Sequence, residues 1–198
     1  MSSTTTIAPP KYTEPTKSRR PFPLIQTVPV PKGTDAFEAR RAKILQTFID
    51  KVPEEYYISQ HYVDNPPKDV TSIPRDCGIL TPQEIEITES YDATGLAEAI
   101  AAHKYTAVEV ATAFSKRAIV CDQISCCLTQ WFPEMALAQA KALDEYLAQT
   151  GKTVGPLHGV PISVKQHMPL AGTYSDWASL AKSCSMKRTR RWSASFAS

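Results

Sequence analysis

The sequence predicts an α/β chain: a helical N-terminal portion, followed late by a first core strand. Three observations carry this. Apolar residues recur at helical spacing in several segments between Thr34 and Thr150. Two of those segments open on a capping box, Thr81 with Glu84 and Thr106 with Glu109. The period then changes at Val160–Lys165, where VPISVK alternates apolar and small residues as a strand does.

Taken in order, residues 1–33 form a Pro/Ser/Thr-rich leader that is expected to be disordered. Seven of the 16 prolines fall there, and they would break the amphipathic helix of a transit peptide. Thr34 to Lys51 is a helix with Phe37, Ile44, Leu45, Phe48 and Ile49 on one stripe, ended by Pro53. Residues 52–79 are mostly loop, because Pro66, Pro67 and Pro74 prevent long regular elements. At Thr81 a cap, Pro82 at the first helical position and Glu84 start the next helix, with Leu80 and Ile85 spaced as a hydrophobic staple.

Asp92 caps the following helix, which places Leu96, Ala99, Ile100 and His103 on one face. The helix opened by Thr106 runs to about Asp122, with Val110, Ala113, Phe114, Arg117, Ala118 and Cys121 at helical spacings. A last helix spans Pro133 to Thr150, striped by Ala136, Ala140, Leu143 and Leu147, and Gly151 suits its end. Residues 34–181 thus form the patterned body. Residues 182–198 are an unpatterned basic tail with no acidic residue.

Composition narrows the function classes. The chain has 198 residues, 42% of them hydrophobic, and a net charge of +2. That excludes a collagen, a disulfide-dense miniprotein and a polyelectrolyte. The leader carries +4, the tail +5 and the body −7, so no uniform nucleic-acid-binding surface is expected. No apolar run reaches the ~20 residues of a membrane span. Five cysteines without an export signal read as reduced, inert thiols in a cytoplasmic protein.

Four features bear on chemistry. Gly151-Lys152-Thr153 imitates the end of a phosphate loop, but Tyr146 stands where that loop needs glycine, and a helix precedes it instead of a strand. Cys121, Cys126 and Cys127 lack zinc-site spacing, and His61, His103, His158 and His167 are scattered, so neither a metal nor a cofactor is expected. Lys187–Arg191 has no recognition helix beside it. Lys165 is the candidate catalytic residue. It ends a strand that would be buried inside an α/β sheet, and a desolvated lysine can lose its proton near neutral pH.

The stretch GPLHGVPISVK (Gly155–Lys165) resembles the amidase signature family. LAEAIAAHKYTAVEVATAFSKRA (Leu96–Ala118) resembles that family's opening helix pair, and AQAKALDEYLAQTGKTVGPLHGVPISVK (Ala138–Lys165) its helix, loop and first core strand. Trp131-Phe132-Pro133 and Gly172-Thr173-Tyr174-Ser175-Asp176 are similar to the fungal acetamidase-like branch. The resemblance covers roughly residues 36–181.

It implies the amidase signature fold, a mixed sheet covered by helices, here incomplete. It implies hydrolysis of small linear carboxylic amides through a relay of two serines and a lysine, one serine on a cis peptide bond. Lys165 matches the lysine. The partner implied is a small-molecule amide, with a homo-oligomer through the N-terminal helices. The family carries its serines in a Gly/Ser-rich stretch downstream of the lysine. Ser175, Ser179, Ser183, Ser185, Ser193, Ser195 and Ser198 have no adjacent glycine, and Gln166 stands where an acidic or similar polar residue is usual. The chain is therefore expected to be a truncated, inactive, marginally stable form. A non-catalytic helical fragment that associates with a full-length amidase is the alternative.

Overall fold

The computed structural model describes residues 33–166, 168, 170, 173–175 and 184–185. The leader and almost all of the 182–198 tail lie outside them. Seven helices follow in order: α1 (Asp35–Ile49), α2 (Gln60–Asp64), α3 (Ile73–Asp76), α4 (Pro82–Glu89), α5 (Ala93–Ala101), α6 (Ala107–Ser125) and α7 (Pro133–Thr150). A single 3-10 turn, Glu54–Tyr56, lies between α1 and α2. Two two-residue strands, β1 (Tyr174–Ser175) and β2 (Cys184–Ser185), pair antiparallel with Tyr174 opposite Ser185.

The helix starts are where local chemistry puts them. Both capping boxes close. Glu84 N–H donates to Thr81 Oγ1 at 3.2 Å while Thr81 N–H donates to Glu84 Oε2 at 2.8 Å. Thr106 and Glu109 repeat the exchange at 2.8 and 3.1 Å. Gly95 N–H donates to Asp92 Oδ1 at 2.7 Å. Leu80 and Ile85 meet in one apolar cluster with Ile58, Ile73, Val120 and Ile124, as a staple should.

The long helix α6 is the hub, packing against α7 and α4. Val110 and Ala113 join Ile87, Leu96 and Ile100 in one cluster. Ala107 and Ala111 meet Ala140 of α7 in another, where small side chains let the two backbones approach. Ile119 packs with Val52 and Trp131.

Buried polar groups near its C-terminal end tie down the loops. Gln123 Oε1 accepts Ile58 N–H at 3.1 Å, and its Nε2 donates to the Tyr56 carbonyl at 2.7 Å. Asp122 Oδ1 accepts Leu128 N–H at 2.8 Å. These bonds satisfy backbone groups that no helix or sheet would.

Three expectations need correction. The strand read at Val160–Lys165 is not formed. No described segment lies beside it to accept and donate ladder bonds, Pro161 has no N–H to give, and Ile162 and Val164 are 72% and 39% exposed. His103 does not share the α5 face. The helix ends at Ala101, and His103 takes a left-handed φ of 58° on the surface, closing the helix where Gly or Asn would be usual. The helix α6 runs three residues past Asp122, to a left-handed Cys126.

Candidate functional site

The candidate site is the segment that leads from α7 to Lys165. It begins at Gly151, whose φ of 65° ends α7. It then turns back over the start of α6. Gly159 makes the approach: its φ is 76°, and a Cβ there would sit 2.9 Å from Ala107 Cβ and 3.0 Å from Ile100 Cδ1. Only glycine fits both the backbone angle and the gap. Val160 packs on the cluster around Ile100.

Inside this turn lies His158, 2% exposed. Its Nδ1 accepts the Val154 N–H at 3.2 Å. An accepting Nδ1 carries no proton, so the proton is on Nε2. That atom is buried and has no hydrogen-bond partner among the described residues. Burial holds the His158 imidazolium pKa below its ordinary value, against the opposing pull of Asp144.

Asp144 is the fixed point on α7. Its two carboxylate oxygens accept the N–H groups of Ala107, at 2.7 Å, and Val108, at 3.0 Å. The Ala107 and Val108 amides, at the start of α6, have no acceptor within the helix, and the helix dipole favours an anion there.

From Val160 the chain leaves the helices. Lys165 is exposed, and its carbonyl accepts the Met168 N–H at 2.8 Å. The sequence reading gave no role to His158 or Asp144. Their bonds, to Val154 and to the Ala107 and Val108 amides, are set by the turn and the tertiary fold, and the sequence signal is only the position of a histidine between two glycines of a tight turn.

The other candidates fall apart in space. Gly151-Lys152-Thr153 is a helix end, with Lys152 N–H donating to Thr150 Oγ1 at 3.2 Å. Cys77 and Cys121 are half-buried, and Cys126 and Cys127 are exposed. The turn after α6 carries that pair outward. Burial still pushes the Cys77, Cys121 and Cys126 thiols up, which disfavours the reactive thiolate. Among the described residues no group of three or more His, Cys, Asp or Glu could hold a metal ion. No helix among them is long and apolar enough to cross a membrane.

Comparison with known proteins adds the following. An amidase family model matches residues 109–188. A Schizosaccharomyces pombe protein that bears an amidase name is 54% identical over 120 residues, which are 59% of this chain and 22% of that protein. The acetamidase of Emericella nidulans is 40% identical over 133 residues, 67% of this chain and 23% of its own length. A solved fatty acid amide hydrolase superposes with a TM-score of 0.57 at 35% identity, covering 68% of this chain and 24% of that one. The chain therefore spans about a fifth of the length of the curated relatives it matches.

Proposed function

We propose, for a chain whose residues 109–188 match an amidase family model, that residues 34–181 are the N-terminal part of an amidase domain of the fungal acetamidase type. Its reaction is hydrolysis of a small linear carboxylic amide to the acid and ammonia. Lys165 is the base. A serine hydroxyl is a weak nucleophile until a neutral base lies within hydrogen-bond reach. In the family relay a second serine, on a cis peptide bond, bridges the lysine to the attacking serine. The lysine takes the proton as the serine adds to the carbonyl and returns it to the departing nitrogen.

The observation that carries this reading is the placement of GPLHGVPISVK. The turn is pinned on α5 and α6 by Gly159 and Val160, and the lysine segment leaves it away from the helices. Ile162 and Val164, exposed here, are the apolar side chains that a covering layer of a mixed sheet would bury. On this reading Lys165 gains its desolvated surroundings from that sheet. No glycine-flanked serine pair accompanies Lys165 in these 198 residues, so the chain alone is proposed to be inactive. The exposed Phe37 and Ile44 of α1 favour the second reading, a helical fragment that associates with a full-length amidase or with its own copy.

A chimera tests the assignment. Residues 109–165 replace the matching segment of the Emericella nidulans acetamidase, and ammonia release from acetamide is followed. The chimera is expected to turn over, and Lys165→Ala within it to lower kcat by on the order of 10³-fold or more. A folded chimera whose Lys165→Ala variant keeps its rate overturns the role of Lys165. Ammonia released by the 198-residue chain itself, and lost on Lys165→Ala, overturns its inactivity.

A further inference from the structure

His158 is a buried titratable side chain that this relay does not use. Its Nδ1 is the acceptor that closes the Val154–His158 turn, and its Nε2 proton has no partner among the described residues. The groups packed around the turn are few. From α7 the charged group acting on the ring is Asp144, whose oxygens are already held by the Ala107 and Val108 amides. From α5 and α6 the atoms meeting the adjoining Gly159 are apolar, from Ile100 and Ala107. The turn is therefore fastened by the side-chain hydrogen bond to His158, by backbone bonds from His158 N–H to the Gly155 carbonyl and from Val160 N–H to the Leu157 carbonyl, both at 3.2 Å, and by the close Gly159 contact; of the bonds, the His158 one alone engages a titratable ring. Six residues separate His158 from Lys165 in the chain, and Val160 is the last of them packed on the helical core.

We propose that His158 is a positioning residue: its neutral ring latches the Val154–Gly159 turn and thereby fixes where the Lys165 segment leaves the helices. A proton on Nδ1 would convert the acceptor into a second donor facing the Val154 N–H, and the latch would open. The value of placing Lys165 rests on the proposed function; the latch itself does not, and it is read without any activity.

The test is amide hydrogen exchange on the 198-residue chain, read as protection factors at Val154 and at Met168, whose N–H bonds the Lys165 carbonyl. In the unsubstituted chain Val154 is expected to be protected near pH 7.5 and to lose protection by about tenfold as His158 takes its proton. In His158→Asn the side-chain oxygen replaces Nδ1 as acceptor and cannot titrate, so protection persists at both pH values. In His158→Gln the amide reaches the place of Nε2 instead, and Val154 and Met168 both lose protection at either pH. Equal protection of Val154 in His158→Gln, or no pH dependence in the unsubstituted chain, overturns the latch. Loss at Val154 with Met168 unchanged overturns the positioning role. A failed acetamide assay leaves all of these readings standing, so failure of the latch and of the amidase assignment are told apart.

Discussion

The carboxylate of Asp144 accepts the backbone N–H of Ala107 at 2.7 Å, a bond that spans 37 residues and locks α7 across the first turn of α6. With the Thr106–Glu109 box it satisfies amides of that turn from two directions. The Asp144→Ala variant leaves the Ala107 and Val108 amides without their acceptor. The expected cost is about 1–2 kcal/mol, as for loss of a strong helix cap. Asp144→Asn keeps one oxygen and removes the charge, so its cost should be smaller. Urea unfolding followed by circular dichroism measures both, and a midpoint unchanged in Asp144→Ala would contradict the role.

Two glycines with nearly the same backbone angle make a controlled pair. Gly151 has φ 65° and open space where a Cβ would go, whereas Gly159 has φ 76° and no space. Gly151→Ala should cost about 1 kcal/mol, the left-handed penalty alone. Gly159→Ala adds the collision with Ala107 and Ile100, for a total of about 2–4 kcal/mol. Thermal unfolding of the two variants side by side gives the comparison. Equal losses would show that the turn shifts to absorb the methyl group.

These two positions also show what could be read without the fold. Capping boxes, the staple at Leu80 and Ile85, and the stripe of α7 from Ala136 to Leu147 are each decided within one element and its flanks, so pattern alone located them. The latch at His158 and the clamp by Asp144 join residues from different elements, and no local period announces them. The strand at Val160–Lys165 failed for a related reason. Alternating side chains describe one face-to-face preference, but a strand exists only when a neighbour takes its backbone hydrogen bonds. The lysine could be singled out because a whole eleven-residue block resembles one family; its surroundings could not.

Acid should loosen the contact between α4 and α6. Glu84 holds the capping box with one oxygen and Lys116 Nζ, at 2.7 Å, with the other. Burial raises the Glu84 pKa, but the Lys116 and Thr81 bonds outweigh it, so the carboxyl stays below its ordinary value. Glu89, bonded by Arg75 and by Arg117 at 2.6 Å, is lowered too. A carboxylate whose pKa is depressed by folding contributes stability that is fully present above its unfolded value, about 4.3. That contribution is lost as pH falls through the folded value. Stability measured by urea unfolding should therefore decline below about pH 4.3. The decline should be shallower in Glu84→Gln, which removes the titrating group along with its ion pair. A decline of identical slope in Glu84→Gln would assign the acid sensitivity elsewhere. The His158 depression has the same sign at a higher window: its contribution is whole above the unfolded histidine value, about 6.5, and falls away as pH drops through the folded one.

Lys165 offers the last prediction, because stability and chemistry separate there. Its side chain is exposed, and its contact in the fold is through its own carbonyl, which accepts the Met168 N–H at 2.8 Å. Lys165→Ala keeps that carbonyl, so unfolding of the 198-residue chain should change by less than about 0.5 kcal/mol, as for surface sites. In the acetamidase chimera the same change should abolish turnover while leaving the thermal midpoint in place. A base that is never needed for packing but always for proton transfer gives that combination. If Lys165→Ala instead destabilised the isolated chain by several kcal/mol, the lysine would be a structural residue, and its loss of activity in the chimera would follow from unfolding.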